Sequence, residues 1–165
     1  MPTVDAYRVI AKYYDGAYAA MQDLVDLPFY LDLAEQSGAP VLEIACGTGR
    51  VLIPVARKGI EVYGVENSQS MLQVLRNSLE REPLPVRQRI TVHEGDMRGF
   101  RLPQKFPLVM IPFRPMQHMI TVEDQIAALR TAAAHLTDTG ILAFDVFYPK
   151  FEMIWTKVGD EIPEM

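Results

Sequence analysis

The sequence lacks the features that several broad classes of protein require. A single cysteine, Cys46, excludes a disulfide within the chain and fits a reducing compartment. The net charge is -5 and lysine and arginine form no cluster, which argues against the basic surface of a nucleic-acid-binding protein. No apolar run is long enough to cross a bilayer, and the first residues lack a signal-peptide pattern. We therefore expect a cytoplasmic protein that binds neither nucleic acid nor membrane.

Histidine is also scarce. The chain has three, His93, His118 and His135, and their spacing matches no set of metal ligands, so the sequence predicts no metal site. His93 is interpreted as a structural residue on a strand. His135 lies late in a predicted helix, where a cation suits the helix dipole. Several interpretations of His118 stand: it is a pocket wall or a general base, or it is a helix-start residue that packs outward.

What the sequence does contain is a regular alternation of short apolar segments and helical periodicities. Five apolar segments predict strands at 41–45, 61–65, 90–93, 107–111 and 141–147. Helices are predicted at 4–20, in a short segment that ends near Gly38, at 50–58, after Ser68 and after Thr121. For 165 residues, this alternation predicts one α/β domain with a parallel sheet.

The helix after Thr121 carries the most detailed expectation. Its apolar spacing predicts a core-facing side, and the tetrapeptide TDTG at 137–140 is predicted to form the turn that closes it. The residues expected to face the core are Val122, Ile126, Leu129, Ala133 and Leu136.

The turn after the first predicted strand reads CGTGR and contains Gly47 and Gly49. A phosphate-binding loop would need Gly-Lys-Ser/Thr at this point, and a dinucleotide fingerprint would need a third glycine where Leu52 stands. An NAD-dependent oxidoreductase is therefore disfavoured. Glu43, just before the turn, is a poor neighbour for a pyrophosphate and instead suits a ligand with an ammonium or sulfonium group.

Acidic residues also follow the second and third predicted strands. Glu66 is placed to accept both hydroxyls of a ribose, and Asp96 to accept from the amine of an adenine that Met97 would cover. Because ligands of open α/β sheets bind at the carboxyl ends of the strands, these acids are expected to meet. Together they fit an adenosine that carries a charged amino-acid tail.

The segments VLEIACGTGR, VYGVENSQSML, EGDMRGF, FPLVMIPF, QHM and HLTDTGILAFDVFYP resemble, in order, the motifs of class I S-adenosylmethionine-dependent methyltransferases of the small-molecule type. The resemblance covers residues 13–149. It implies a Rossmann-like doubly wound sheet of order 3-2-1-4-5 with helices on both faces. It also implies S-adenosyl-L-methionine as cofactor and a small-molecule acceptor. Residues 1–149 would form the domain, with residues 1–38 as an N-terminal helical lid.

The resemblance implies roles for individual residues. Glu43 would bind near the methionine ammonium, Glu66 would hold the ribose, Asp96 would bind the adenine amine, and Pro112 and Phe113 would lie beside the sulfonium. The implied cofactor-binding set is Glu43, Ala45, Gly47, Gly49, Glu66, Asn67, Asp96, Met97 and Pro112.

The sequence departs from this family at several positions. Ala45 stands where the family often has glycine, and little loss is expected because alanine is small. Arg114 and Pro115 replace smaller polar residues, and Arg114 is either a partner for an acidic substrate or a solvated surface residue. For catalysis, His118 is the first candidate general base and Tyr14 the second. Tyr14 and its neighbours form either a lid or an aromatic face on the core.

The C-terminal residues 150–165 form a short extension that cannot supply the helix and two strands with which the family's sheet usually continues. The fifth strand would then be an exposed apolar edge, which a homodimer would cover. The rival functional interpretation is a truncated, non-catalytic remnant of the fold that binds cofactor or oligomerises. Asp145 is interpreted as a partner for a buried backbone group, and Tyr148 as a residue that faces the substrate.

Overall fold

The computed structural model describes residue 5, residues 7–13, residue 16 and residues 26–148. Five parallel strands form one sheet of order β3-β2-β1-β4-β5, which confirms the predicted Rossmann-like topology. The strands are β1 (Val41–Ile44), β2 (Val62–Glu66), β3 (Ile90–Glu94), β4 (Phe106–Ile111) and β5 (Leu136–Phe144). The helices are α1 (Asp26–Ser37), α2 (Leu52–Arg57), α3 (Gln69–Leu79), α4 (Leu84–Arg87) and α5 (Val122–Ala134), and Pro115–His118 forms a 3-10 helix.

Helices cover both faces of the sheet, and each face carries its own core. One core joins Tyr30 of α1 and Leu52 of α2 to Leu72 of α3 over Val41 of β1. The other joins Ala128 and Ala132 of α5 to the opposite face, including Leu42 and Val109. Because side chains alternate along a strand, neighbouring residues of β1 serve different cores. The continuous apolar runs of the central strands follow from this double burial.

The predicted helix starts agree with the structure at both cap residues. The Ser68 hydroxyl accepts a hydrogen bond from the Met71 N–H, and the Thr121 hydroxyl accepts one from the Asp124 N–H. Each cap satisfies a backbone donor that has no partner in the first helical turn. The predicted helix 4–20 lies largely outside the described residues: a turn forms at 7–10, and residues 11–13 are helical.

The predicted TDTG turn is wrong, because residues 137–140 belong to β5. Pairing between β4 and β5 begins with Phe106 opposite Leu136 and continues through a register shift before Leu108. Gly140 permits this close approach, since a Cβ there would lie 2.9 Å from the Phe106 carbonyl oxygen. Strand β5 therefore starts five residues before the predicted limit of 141.

The prediction of which side of α5 faces the core is also wrong. Val122 and Ile126 are 63% and 41% exposed, and Ala133 is exposed too, whereas Ala128 and Ala132 are buried. Leu129 and Leu136 only pack at the edge of this core. Two alanines four residues apart let the helix approach the sheet closely, so small side chains face inward in place of large ones.

Strand β5 lies at an edge of the described sheet and exposes apolar side chains. Ile141 and Phe144 are 49% and 43% exposed. Such an edge can pair with another chain, but the predicted homodimer stays a prediction. The extension 150–165, including the predicted covering strand at 154–158, lies outside the described residues. Within the part of the chain that is described, no helix is long and apolar enough to cross a membrane.

Close packing of α2 on the sheet comes from a glycine that the sequence analysis did not single out. A Cβ on Gly64 of β2 would lie 2.8 Å from the Cys46 sulfur and 3.1 Å from a Leu52 methyl carbon. Leu52 occupies the position at which a dinucleotide fingerprint has its third glycine. The absence of a side chain at Gly64 of β2 therefore provides the space that α2 needs to pack closely on the sheet.

We expect Gly64→Ala to destabilise the protein by about 1–3 kcal/mol, because the new methyl group overpacks a buried junction. Urea unfolding measures this change. Gly99→Ala is the matched control, since no atom lies within 4 Å of its built Cβ and its φ is not positive. Equal free energies of unfolding for the two variants would show that the junction has spare room.

Candidate functional site

A cavity of about 880 Å³ lies at the carboxyl ends of the strands, where the turns after β1, β2, β3 and β4 converge. This volume lies toward the upper end of the range of roughly 300–1,000 Å³ that is usual for ligand pockets. Asp5, Tyr7 and Ile10 of the N-terminal segment also contribute to its wall. The predicted residues that line it are Glu43, Ala45, Gly47, Glu66, Asn67, Asp96, Met97, Pro112 and His118.

Two predicted residues are placed differently. Gly49 is not part of the cavity wall: a Cβ there would lie 2.5 Å from a Leu75 methyl carbon, so this glycine packs the turn against α3. Tyr14 lies outside the described residues. The ligand roles given to the other residues stay predictions.

The turn after β1 has a left-handed backbone at three positions. Ala45, Gly47 and Gly49 have φ values of 58°, 56° and 90°. The glycine that the family often has at position 45 is thus explained by backbone conformation, so the expectation of little loss from the small size of alanine misjudged this position. No atom lies within 4 Å of a Cβ built on Gly47, so its backbone faces open space in the cavity wall.

Glu43 is the most unusual group in the cavity. It is 3% exposed, and its Oε2 atom has no hydrogen-bond partner among the described residues. Burial raises the pKa of this carboxyl to about 8; the nearby Arg50 opposes the rise, and Glu66 adds to it. A buried carboxylate without a partner is costly, and a cationic ligand group would offset that cost.

Glu66 joins two turns of the site. Its Oε2 accepts a hydrogen bond of 2.9 Å from the Gly47 N–H, and its Oε1 accepts bonds of 3.0 and 2.8 Å from the N–H groups of Asn67 and Ser68. Burial raises the pKa of Glu66, while these three bonds oppose the rise. The carboxylate therefore fixes the turn after β1 relative to the start of α3, a role that the sequence did not reveal.

Asp96 is held by an arginine that the sequence analysis missed. Arg98 donates to Asp96 from its backbone N–H at 2.9 Å and from its guanidinium at 2.5 Å, and it also contacts Asp124 at 3.1 Å. The hydrogen bonds from Arg98 lower the pKa of Asp96. The carboxylate is thus ionised and ordered, and an adenine amine would share it with Arg98. The adjacent Met97 is 8% exposed and contacts both the core and the cavity.

The turn after β4 has strained backbone conformations at two consecutive residues. Phe113 and Arg114 have φ values of 68° and 69°, which non-glycine residues rarely adopt. The Phe113 N–H donates to Asp145 Oδ1 at 2.6 Å, and the Tyr30 hydroxyl donates to the same oxygen at 2.8 Å. Asp145 therefore does serve a backbone group, as predicted, and it links this turn to α1. Burial, reinforced by Asp145, raises the pKa of Tyr30.

The 3-10 helix that follows is attached to the end of β5. Gln117 accepts a hydrogen bond of 2.7 Å from the Phe147 N–H and donates one of 3.3 Å to the Phe147 carbonyl. His118 is exposed at the cavity, and its ring centroid lies 6.4 Å from that of Tyr7. This histidine lines the cavity, so the outward-packing interpretation does not describe it.

The other histidines and the cysteine are structural. His135 is 2% exposed; its Nε2 accepts from the Leu102 N–H at 2.9 Å, and its Nδ1 lies 2.7 Å from the Thr131 carbonyl oxygen. An acceptor nitrogen makes this ring neutral, so the interpretation as a cation is wrong. His93 stacks on Tyr63 with 6.3 Å between centroids. Burial raises the pKa of the Cys46 thiol, which argues against a nucleophile.

Asp5 attaches the N-terminal segment to the site. Its carboxylate accepts hydrogen bonds of 2.7 Å from the Ser68 hydroxyl and 2.9 Å from the Ser70 N–H at the start of α3. Although desolvation would raise its pKa, the hydrogen bonds from Ser70, Ser68 and Tyr7 lower it to about 2. A carboxylate at a helix N-terminus is favourable. A lone acid 63 residues away from Ser68 in the chain gives no sequence signal for this contact.

The groups on this wall fit a nucleoside with a cationic amino-acid tail. The unpartnered Glu43 oxygen suits an ammonium, and the open Gly47 backbone allows close approach. Among the described residues, no group of three potential metal ligands occurs.

A family model and individual relatives with similar sequences all indicate the same family. Residues 41–140 match a family model described as a methyltransferase domain. The chain is 31% identical over 152 residues to a dTDP-3-amino-3,4,6-trideoxy-alpha-D-glucopyranose N,N-dimethyltransferase of Streptomyces venezuelae, covering 90% of this chain and 60% of the relative. It is 30% identical to a dTDP-3-amino-3,6-dideoxy-alpha-D-glucopyranose N,N-dimethyltransferase of Streptomyces fradiae, covering 89% and 56%.

Solved structures show the same fold. The structure of Streptomyces venezuelae DesVI has a TM-score of 0.70 at 29% identity and covers 84% of this chain and 57% of that one. The glycopeptide N-methyltransferase MtfA complexed with S-adenosyl-L-homocysteine has a TM-score of 0.66 at 30% identity and covers 72% and 47%. The chain thus spans between about half and three fifths of the length of these relatives.

The burial of Glu43 predicts a specific pH dependence of stability. Because its pKa in the folded protein is about 8, against 4.5 for an ordinary glutamate, the folded state binds the proton more tightly. The associated stability is fully present below about pH 4.5 and is lost as the pH rises through about 8. We expect Glu43→Gln to match the wild type at pH 5 and to exceed it by about 1–3 kcal/mol at pH 8.

Urea unfolding of the ligand-free protein at pH 5, 6, 7 and 8 tests this expectation. Glu61→Gln, which removes an exposed acid outside the cavity, is the control for the change in net charge. Parallel curves for the wild type and Glu43→Gln would show that this carboxyl is not desolvated.

Proposed function

This chain belongs to the class I S-adenosylmethionine-dependent methyltransferase family, and we propose that it transfers a methyl group from S-adenosyl-L-methionine to an amino group of a small molecule. The observation that carries this proposal is the buried Glu43 carboxylate, whose Oε2 lacks a partner beside the open Gly47 backbone. A cationic methionine tail would supply the missing partner. The family and the shared fold support the same cofactor.

We propose a nucleotide-linked amino sugar as the acceptor class. The names of two relatives specify dTDP-linked amino sugars, and the matches cover 90% and 89% of this chain. The turn after β4 reads PFRP, which differs from the Asn/Asp-Pro-Pro-aromatic motif of enzymes that methylate bases or glutamine. That difference favours a small molecule over a nucleobase.

Bound S-adenosylmethionine would supply an electrophilic methyl group on a sulfonium. The chain's own contribution is mainly positional. Glu43 would hold the ammonium, Glu66 the ribose, and Pro112 and Phe113 would form the wall beside the reacting atoms. Holding two reactants in line and excluding water can lower a barrier by up to roughly 7–11 kcal/mol, so alignment would be the largest contribution of the protein.

Proton removal is the second requirement. An amine attacks only through its neutral form, so a group at the acceptor side of the cavity must take a proton. We assign this role to an imidazole nitrogen of His118, which lines the cavity next to the turn after β4. Tyr14 is the second candidate.

Cofactor binding without turnover is the rival function. The chain covers 60% and 56% of the two relatives, and β5 exposes Ile141 and Phe144 at the sheet edge. The exposed apolar side chains of β5 favour this second candidate, a domain that binds cofactor and assembles through this edge as a homodimer. For either function, we propose that the protein lies in the cytoplasm.

Calorimetry with S-adenosylmethionine and S-adenosylhomocysteine tests the cofactor assignment. We expect both to bind, and we expect Glu43→Gln to weaken each at least about tenfold, because a neutral amide replaces the carboxylate that faces the ammonium. Glu61→Gln should bind like the wild type. Since Glu43→Gln is expected to be the more stable protein, a loss of folding would not explain weaker binding. Absence of binding by both compounds would contradict the proposed function.

Mass spectrometry of dTDP-amino sugars incubated with the protein and cofactor then tests turnover. A mass gain of one or two methyl groups is expected. Tight cofactor binding with no methylation of any amino sugar would favour the non-catalytic function.

His118→Gln should lower kcat by roughly 10²–10⁴, the usual contribution of a general base, and leave the Kd of S-adenosylhomocysteine unchanged. Tyr14→Phe, measured in parallel, tests the second candidate. Unchanged turnover of His118→Gln at saturating substrate would remove this residue from the mechanism.

A further inference from the structure

Three arginines line the cavity, and two of them are neutralised. Arg50 donates to both carboxylate oxygens of Asp26, at 3.0 and 2.5 Å. Arg98 is paired with Asp96 and Asp124. Arg114 makes no ion pair with any described residue, and its known contacts are aromatic. Its positive charge is therefore available to a ligand.

Aromatic stacking orders the Arg114 side chain without using its hydrogen-bond donors. Its Cζ lies 5.4 Å from the ring centroid of Phe113 and 5.0 Å from that of Phe147, while Arg50 approaches the Phe113 ring at 4.8 Å. These distances place the guanidinium carbon of Arg114 beside both rings. The N–H donors of this guanidinium form no ion pair with a described carboxylate, and such donors match two oxygens of a phosphate.

The backbone that carries Arg114 is fixed at both ends. Arg114 and Phe113 share the left-handed conformation, and Asp145 holds the Phe113 N–H at 2.6 Å. On the other side, Gln117 forms two hydrogen bonds with Phe147, whose ring stacks on Arg114. Strained conformations held by their surroundings are typical of ligand clamps. The backbone that carries Arg114 is therefore held from both sides.

Charge is distributed unevenly across the cavity. The acids Glu43, Glu66 and Asp96 follow β1, β2 and β3, whereas Arg114 follows β4, which pairs with β1 on the side opposite β2. Among the described residues of the cavity, the arginines on the side of the first three strands are paired with carboxylates, so the positive charge that could attract an anion lies with Arg114 on the β4 side. Arg114 also stands where the family resemblance leads one to expect a smaller polar residue.

We propose that Arg114, stacked between Phe113 and Phe147, is a specificity residue that binds a phosphoryl group of the acceptor. The proposal rests on the proposed function, because it places the acceptor on the β4 side of the cavity. It adds to that function the residue of this chain that recognises the phosphoryl group of such an acceptor.

Calorimetric titration with dTDP and with thymidine tests the proposal, with and without S-adenosylhomocysteine. We expect dTDP to bind the wild type at least about tenfold more tightly than thymidine, and less tightly as NaCl is raised, because salt screens the charge contact. Arg114→Gln should abolish the difference between the two compounds. Arg114→Lys should retain part of it, since it keeps the charge but loses the planar donors and the stacking.

Arg130→Gln is the matched control, because Arg130 is exposed on α5 outside the cavity and its loss changes the net charge equally. It should bind dTDP like the wild type. Thermal unfolding of each variant establishes that it is folded.

Three results would overturn the proposal. The first is an equal affinity of the wild type for dTDP and thymidine, and the second is an equal affinity of Arg114→Gln and Arg130→Gln for dTDP. The third is binding of glucuronate that depends on Arg114, without binding of dTDP. The last result would identify a carboxylate as the anion. If S-adenosylhomocysteine binds normally, such results leave the proposed function intact. If S-adenosylhomocysteine does not bind, the proposed function is contradicted. The titration of the protein with dTDP alone still decides whether Arg114 binds a phosphoryl group.

Discussion

The site depends on the way in which one carboxylate, that of Glu66, collects backbone N–H groups from two separate turns. Gly47 follows β1, while Asn67 and Ser68 precede α3, and all three donate to this side chain. Hydrogen bonds to a charged acceptor are the strong ones, so the two turns behave as a single unit. Ser68 then caps α3 and receives Asp5, which brings the N-terminal segment to the cavity. The Glu66 side chain thus connects the turns that form this wall of the cavity.

The site also concentrates features that are unfavourable for folding. Glu43 is buried with an oxygen that has no partner, and Ala45, Phe113 and Arg114 adopt left-handed conformations. Each strained residue costs on the order of 1–3 kcal/mol, and the surrounding sheet must offset that cost. The two apolar cores on either face of the sheet provide this support. Strained residues that their surroundings hold in place are typical of ligand-binding sites.

The sequence predicted those features that depend on local or periodic signals. The alternation of strands and helices, the caps at Ser68 and Thr121 and the clustering of acids at the strand ends followed from patterns within a few residues, whereas the strand order came from the family resemblance. Errors arose where tertiary packing overrode a local pattern: α5 turns its alanines inward, and TDTG continues β5. Contacts between distant residues, such as Asp5 with Ser68 and Arg98 with Asp124, carry no signal in a single sequence. The neutral state of His135 could be inferred only from the contacts of its two ring nitrogens, which the sequence does not show.

The shared oxygen of Asp145 has an evolutionary consequence. Tyr30 in α1 and the Phe113 amide compete for the same acceptor atom, although these two groups lie far apart in the chain. A phenylalanine at position 30 would release one of the two donors and allow the carboxylate to rotate away from the other. A substitution at position 30, in a helix remote from the cavity, would therefore act on the turn after β4 through this one oxygen, and we expect the residues at positions 30 and 145 to change together in evolution.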